Sequence, residues 1–178
     1  MTQLKQRFNA TASGLGSYIG VGYSTPLDQM LIDKGQKTMF MNDAIEDAID
    51  IGSFLEDGML NYWEQKLGNA ILARNEETHT LFEGDTLRVK PDGLTIYKDE
   101  IATVETKHTR GAVNSINNIG YEIQTRAGMI AHDAEYGLLL VFHNGRPYMK
   151  VFTRDEKADK LIEALALDVT LLLNDLIE

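Results

Sequence analysis

Cysteine is absent from this chain of 178 residues, which excludes disulfide bonds, thiolate nucleophiles and iron–sulfur clusters. Histidine is scarce, with only 4 scattered residues, so the clustered spacing of a zinc site is missing. No apolar run is long enough to span a bilayer, and the first residues do not resemble a signal peptide. We therefore expect no membrane partner, and chemistry that depends on carboxylates, amines and hydroxyls.

Positive charge is also scarce, because 17 Lys and Arg face 27 Asp and Glu, giving a net charge of −10. Nucleic-acid binding usually requires a basic surface, so any contact with DNA must come from local clusters. The candidate clusters are Lys5 with Arg7; Lys107, His108 and Arg110 with Arg126; and Arg146, Lys150 and Arg154. The acidic residues would then lie on the opposite side of the molecule.

The length and a hydrophobic content of 43% suit one domain over residues 1–178 with a sizeable core. Helical periodicity predicts helices over residues 26–34, 42–68, 114–134 and 155–178. Apolar runs predict strands at 94–97, 101–107, 137–142 and 148–153, the last two joined by an Asn144-Gly145 turn. Residues 72–84 are polar and are expected to form a loop. This order predicts an α/β fold with a mixed central β-sheet flanked by α-helices.

The most informative motif is Pro91-Asp92-Gly93 followed by Glu105-Thr106-Lys107. Successive strand side chains point to opposite faces, so Glu105 and Lys107 share one face. A hairpin through residues 98–100 would carry Asp92 to the same end of the sheet. Two neighbouring carboxylates repel unless one is protonated or a cation lies between them, and hard oxygen ligands favour Mg²⁺ or Mn²⁺. The alternative is a Glu–Lys pair on the surface of an exposed hairpin.

A third carboxylate, Glu56, lies in the longest predicted helix. At about 100° per residue it falls within an apolar stripe formed by Ile45, Ile49, Met59, Trp63 and Leu67. An ionised carboxylate on a buried face is unfavourable unless it is paired or binds a metal. Glu56 is therefore predicted to join Asp92 and Glu105, unless a kink at Gly52 or Gly58 turns it towards water.

Other polar residues divide into candidates for the site and ordinary surface positions. Tyr121 and Gln124 lie on one face of the helix predicted at 114–134, and such side chains beside a metal orient water or hold a phosphate oxygen. Taken alone, Gln124 is more typical of a surface residue than of a site. Asp57 and Glu64 are interpreted as solvated charges. The glycines at the start of the chain, Gly14, Gly16, Gly20 and Gly22, lack the spacing of a dinucleotide-binding loop.

The order Glu56, Pro91-Asp92-Gly93, Glu105-x-Lys107 and Tyr121-x-x-Gln124 resembles that of the PD-(D/E)XK nuclease superfamily. Within it, the chain is most similar to the YqaJ-type viral recombinase nucleases and lambda exonuclease. Thr11-Ala12-Ser13 and the Gly-x-x-x-Glu element at 52–56 also match those enzymes. The resemblance covers residues 7–150 and implies a restriction-endonuclease-like core.

The resemblance also implies roles for individual residues. Glu56, Asp92, Glu105 and the backbone carbonyl of Thr106 would bind Mg²⁺, with Mn²⁺ as a substitute. Lys107 would orient or deprotonate the attacking water, and Gln124 would support the site from the following helix. The catalytic residues would then be Asp92, Glu105, Lys107 and Gln124. Contacts with DNA would come from Ser13, Arg7, Tyr121 and Arg126.

The function that follows from the resemblance is that of a metal-dependent deoxyribonuclease. It would be a phage-type exonuclease that degrades double-stranded DNA ends for recombination, in the cytoplasm of a bacterium or a phage-infected host. An endonuclease or junction resolvase of the same fold stays open, as does a non-catalytic member that binds DNA or protein. The resemblance further implies a homo-oligomer and leaves open a single-strand annealing protein as a partner.

Overall fold

Both helices and strands are present in the computed structural model, which describes residues 8–37, 43–74, 78–83, 86–109 and 115–175. The helices are α1 (Ala12–Tyr18), α2 (Pro26–Asp33), α3 (Asp43–Leu67), α4 (Ile119–Ala131) and α5 (Glu156–Asp175). The strands are β1 (Ala10–Thr11), β2 (His79–Leu81), β3 (Leu87–Val89), β4 (Gly93–Tyr97), β5 (Glu100–Thr109), β6 (Tyr136–His143) and β7 (Arg146–Thr153). The predicted α/β class is confirmed.

The larger sheet has the strand order β4-β5-β6-β7. β5 and β6 are parallel, as the crossover through α4 requires, and the outer pairs are antiparallel. Positive φ angles at Lys98 and Asp99 (53° and 67°) and at Asn144 and Gly145 (49° and 75°) give each hairpin a tight two-residue turn. Both predicted hairpins and the mixed sheet are therefore confirmed.

A smaller sheet, with the order β1-β3-β2, was not predicted. β1 runs parallel to β3, and β2 runs antiparallel to it. The expectation of a loop over residues 72–84 is therefore wrong at β2. These strands have only 2 or 3 residues each, too few to show a period in the sequence. The smaller sheet matters for the site because β3 leads directly into Pro91 and Asp92.

The two faces of the larger sheet are covered by different helices. On one face, Leu60 and Trp63 of α3 pack with Val104, Leu138 and Leu140. On the other face, Tyr121 and Met129 of α4 pack with Leu139, Val141 and Phe152. Successive residues of β6 thus face opposite layers, which explains the continuous apolar run from which a strand was predicted at 137–142.

The helix ends follow capping residues. Thr25 caps α2, with Pro26 in the first turn, and α3 ends before Gly68 as predicted. α4 begins later than the predicted residue 114, because the Asn118 side chain accepts hydrogen bonds from the N–H groups of Gly120 and Tyr121. A 3-10 turn (Ser115–Asn117) precedes it. Among the described helices, none combines the length and apolar character needed to cross a membrane.

Candidate active site

The central pair of the site is Glu105 and Lys107, on the face of β5 that looks towards α4. Glu105 is only 2% exposed, and Lys107 Nζ lies 2.5 Å from Glu105 Oε1. The ammonium group also lies 5.6 Å from the ring centroid of Tyr121 on α4. The two residues share a face as predicted, and the alternative of an exposed surface pair is wrong because Glu105 is buried.

Asp92 is fixed beside this pair by the backbone of β5. Its N–H donates to the carbonyl of Val104 at 3.0 Å, and its Oδ2 accepts from the N–H and the hydroxyl of Thr106 at 2.6 and 2.8 Å. The ladder between β4 and β5 stops at the pairing of Gly93 with Val104. The edge of β5 is therefore open beyond this point, and the Thr106 carbonyl points to the same open side as its N–H.

Glu56 approaches the same edge from α3. Met59 and Leu60 are buried against the sheet, and Glu56 lies one turn before them on the same side of an unbroken helix. Glu56 is partly buried, and its charge acts on Glu105. The charge effect on Glu105 supports the inward orientation of Glu56, and its place in one site with Asp92 and Glu105 stays a prediction.

Burial dominates the electrostatics of this cluster. It raises the pKa of Glu105 from 4.5 to about 8, against the opposing effect of Lys107 and with the help of Asp92 and Glu56. Burial alone would lower the pKa of Lys107, but the charges of Glu105 and Asp92 raise it. A buried acid beside two further carboxylates is typical of functional sites, where a cation can compensate the negative charge.

The donor groups of the cluster match a hard divalent cation in chemical type, since they are carboxylate and carbonyl oxygens. Within the described residues, no three acidic or histidine side chains already converge at ligand distances. Instead, Lys107 holds an oxygen of Glu105, and Thr106 holds an oxygen of Asp92. These contacts engage only Oδ2 of Asp92 and Oε1 of Glu105, one of the two oxygens of each carboxylate. The metal and its ligands stay a prediction.

A cavity of about 270 Å³ connects the cluster with the start of the chain. Its lining includes Lys107, Tyr121 and Gln124 together with Ser13, so four predicted site residues come together here. Ser13 lies in the first turn of α1, and Thr11 caps that helix by accepting a hydrogen bond from the Gly14 N–H at 3.2 Å. The Thr-Ala-Ser motif therefore starts the helix that presents Ser13.

Arg126 is not brought into this cavity. Its guanidinium pairs with Glu122 at 2.9 Å, donates to the carbonyl of Thr153, and lies 5.0 Å from the ring centroid of Phe152. On α4, Arg126 follows Gln124 by two residues, about 200° around the helix. Arg7 lies outside the described residues, so both stay predictions as DNA contacts.

Arg88 and Lys90 are basic residues that the sequence analysis did not single out. Both line a second cavity of about 240 Å³, which also includes Ser13 and Gln124. The signal was present in Leu87-Arg88-Val89-Lys90, where apolar and basic residues alternate just before Asp92. The chain thus carries positive charge beside the carboxylate cluster despite its overall acidity.

The structure is similar to solved structures of exonucleases. A phage-related exonuclease from Haemophilus somnus 129PT has a TM-score of 0.74 at 14% identity, over 97% of this chain and 96% of that chain. The alkaline exonuclease LHK-Exo from Laribacter hongkongensis gives 0.69 at 15% identity, over 94% and 88%. The structure of LHK-Exo in complex with dAMP gives a TM-score of 0.68 at 15% identity, over the same shares of both chains.

Comparisons with family models and with curated proteins found no match. At these identities, the structural likeness establishes the fold. The chain has the fold of the phage-related and alkaline exonucleases, as the resemblance in its sequence predicted.

Proposed function

We propose that this chain is a metal-dependent deoxyribonuclease, specifically an exonuclease that hydrolyses double-stranded DNA from its ends. The observation that carries the proposal is the buried Glu105 carboxylate with Lys107 at 2.5 Å, at an edge shared with Asp92 and Glu56. Solved exonucleases of the same fold support it, and one of them was solved with the mononucleotide dAMP.

The proposed metal is Mg²⁺, with Mn²⁺ as a substitute, held by Glu56, Asp92, Glu105 and the carbonyl of Thr106. When bound, such an ion supplies a Lewis acid that activates water and neutralises charge on the phosphate. Each carboxylate has two oxygens, so the ion would share Asp92 and Glu105 with the Thr106 and Lys107 donors that already hold one oxygen of each.

The residues around the ion have separate tasks. Lys107 donates to the attacking water or to a phosphate oxygen, and Gln124 supports it from α4. Ser13, Arg88 and Lys90 bind neighbouring phosphates of the strand, because hydroxyl and cationic groups are the usual partners of the DNA backbone. These local positive charges allow an acidic protein to hold DNA at this one place.

The direct test is degradation of linear duplex DNA. Wild type is expected to degrade it with Mg²⁺ and to leave it intact with EDTA. Lys107→Ala should lose roughly 10²- to 10⁴-fold in rate, the usual contribution of a positioned proton-transfer group. Lys66→Ala is the matched control, because Lys66 lies in the last turn of α3 and lines neither cavity. Equal rates for Lys107→Ala and wild type would contradict the mechanism.

The form of the DNA substrate distinguishes an exonuclease from an endonuclease or a junction resolvase of the same fold. An exonuclease leaves closed circular duplex intact while it degrades the same DNA after linearisation. Equal cutting of both forms would identify an endonuclease or a junction resolvase. Absence of both cutting and metal binding would favour the non-catalytic member of the fold.

A homo-oligomer is also proposed, supported by an apolar surface on α5. Leu161, Leu167 and Leu171 are exposed there, Leu161 by 71%, while Ile162, Ala166 and Val169 face the core. Light scattering of the purified protein should give a mass above that of one chain. No structural observation bears on a single-strand annealing partner, which stays a prediction from the resemblance.

A further inference from the structure

Tyr23 combines high exposure with a fixed position beside the candidate active site. Its residue surface is 87% exposed, yet its hydroxyl is hydrogen-bonded to the hydroxyl of Tyr121. The two ring centroids lie 6.4 Å apart at an angle of 42°. Since Lys107 Nζ lies 5.6 Å from the centroid of Tyr121, one side chain separates Tyr23 from the central pair.

The glycines at the start of the chain explain how the backbone reaches this position. A Cβ on Gly22 would lie 2.2 Å from Ser17 Oγ, so only glycine lets the loop after α1 fold back against that helix. A Cβ on Gly16 would lie 3.0 Å from the Cα of Gly120, so Gly16 permits close packing of α1 on α4. The Val21 N–H donates to the Gly16 carbonyl at 2.8 Å and secures the loop.

A single exposed aromatic residue on a protein surface is ordinary, but the surroundings of Tyr23 are not. Its polar end is occupied by Tyr121, and its ring lines the cavity that also contains Lys107 and Gln124. A flat apolar face is therefore held open at the mouth of the site. Nucleic-acid-binding proteins place aromatic rings in this way where successive bases stack.

We propose that Tyr23 is the stacking platform for the nucleobase of the nucleotide whose phosphate reaches Lys107. This inference rests on the proposed nuclease function. Every nucleobase has a π face, so the platform accepts any base and fixes the nucleotide without selecting its sequence. Tyr23 acts as a positioning residue, because it orients the substrate and takes no part in proton transfer.

The first experiment measures stacking without hydrolysis. Short duplexes carry 2-aminopurine at the terminal nucleotide, at the 5′ end in one duplex and the 3′ end in the other, and EDTA is present. Stacking on an aromatic ring quenches this fluorophore. Wild type and Tyr23→Phe are expected to quench it at one of the two ends, whereas Tyr23→Leu should not. Phe54→Leu is the matched control, because Phe54 is 84% exposed on α3 and does not line the cavity.

The second experiment removes the base instead of the ring. The terminal nucleotide is replaced by an abasic tetrahydrofuran residue, and kcat and KM are measured with Mg²⁺. Wild type should lose roughly 5- to 150-fold in kcat/KM on the abasic duplex, mainly through KM, as expected for one lost stacking contact. Tyr23→Leu should treat both duplexes alike. Tyr23→Phe should discriminate as wild type does.

The outcomes separate this inference from the proposed function. Quenching that depends on Tyr23, with no hydrolysis by any variant, would uphold stacking and overturn the nuclease. Hydrolysis that depends on Lys107, with equal quenching and equal discrimination in wild type and Tyr23→Leu, would overturn stacking and uphold the nuclease. Because Tyr23 is exposed, its substitution should leave the melting temperature unchanged, which a thermal melt verifies.

Discussion

Two carboxylate–cation pairs of similar geometry differ in the pKa of their carboxyl groups, which is lowered in one pair and raised in the other. Glu64 Oε1 lies 2.8 Å from a nitrogen of Arg74, and Glu105 Oε1 lies 2.5 Å from that of Lys107. The Ile71 N–H donates to Glu64 at 2.7 Å, and this bond together with Arg74 lowers the pKa of Glu64. Burial raises the pKa of Glu105 in spite of its partner.

The difference indicates what each pair is for. Glu64 fastens the end of α3 to the segment after it, which pairs with β4 through Leu72 and Leu94. Its interpretation as a solvated charge is therefore wrong. Its bonds favour the ionised form and therefore favour the folded state. Glu105 is held where ionisation is unfavourable, and stability gives no reason for a carboxylate at that position. A role in binding a cation and substrate supplies one.

The largest expected effect comes from neutralising each carboxylate in turn. Glu105→Gln should reduce Mg²⁺-dependent hydrolysis to background and raise the melting temperature at neutral pH. Gln keeps the side-chain volume, and folding no longer has to keep protonated a carboxyl group that ionises in the unfolded chain. Glu64→Gln should leave the rate per folded molecule at the wild-type level and lower the melting temperature. Both are measured by the linear-duplex assay and by thermal melts. Loss of activity in Glu64→Gln would contradict the difference in role between the two pairs. A lower melting temperature in Glu105→Gln than in wild type would contradict it as well.

The next effect concerns the basic residues that compensate for the acidic chain. Replacing both Arg88 and Lys90 by Ala should weaken DNA binding and reduce the slope of log affinity against log salt by roughly 1 to 2, since each phosphate contact contributes about 0.9. Lys66→Ala should keep the wild-type slope, because Lys66 lines neither cavity. Fluorescence anisotropy over a salt series, with EDTA present, measures both. Equal slopes for all three proteins would place the DNA interface elsewhere.

A smaller effect is the pH dependence of stability without metal. The folded state keeps the Glu105 proton up to about pH 8, whereas the unfolded chain loses it near 4.5. This contribution to stability is complete below 4.5 and is lost as the pH rises to about 8. In EDTA, the melting temperature of wild type should therefore fall relative to Glu105→Gln over this range. Parallel curves for the two proteins would show that Glu105 ionises normally.

Glu64 should show the opposite dependence. Its lowered pKa stabilises the folded state above the ordinary value of 4.5, and this contribution is lost as the pH falls. The advantage of wild type over Glu64→Gln should therefore disappear on acidification. A melt of both proteins over an acidic pH series measures it, and a constant difference would contradict the role given to the Ile71 and Arg74 contacts.

Much of the fold was predictable because its long elements have clear periods. α3, the hairpin of β4 and β5, and the Asn144-Gly145 turn combine strong patterns with local end signals. The smaller sheet was missed because β1 and β3 are short and pair across a long stretch of chain. Such pairing depends on the packing of the whole domain, which no local pattern contains.

The candidate site likewise contains residues that local patterns predict and residues that they do not. The prediction that Glu56, Asp92 and Glu105 share one site rests on helical phase and strand alternation, both of which are local rules. Tyr23 could not be found by either rule, because its position depends on tertiary packing. Gly22 brings the loop after α1 against that helix, and Gly16 brings α1 against α4. Arg88 and Lys90 were missed although they show a local pattern, whereas Tyr23 shows none.

The most direct test of the central claim is calorimetric titration of Mn²⁺ into wild type, Glu105→Gln and Glu64→Gln. If the carboxylate cluster at the edge of β5 is a cation site, wild type and Glu64→Gln will bind Mn²⁺ with equal affinity, and Glu105→Gln will show no binding. Equal binding by all three proteins, or no binding by wild type, would contradict the account.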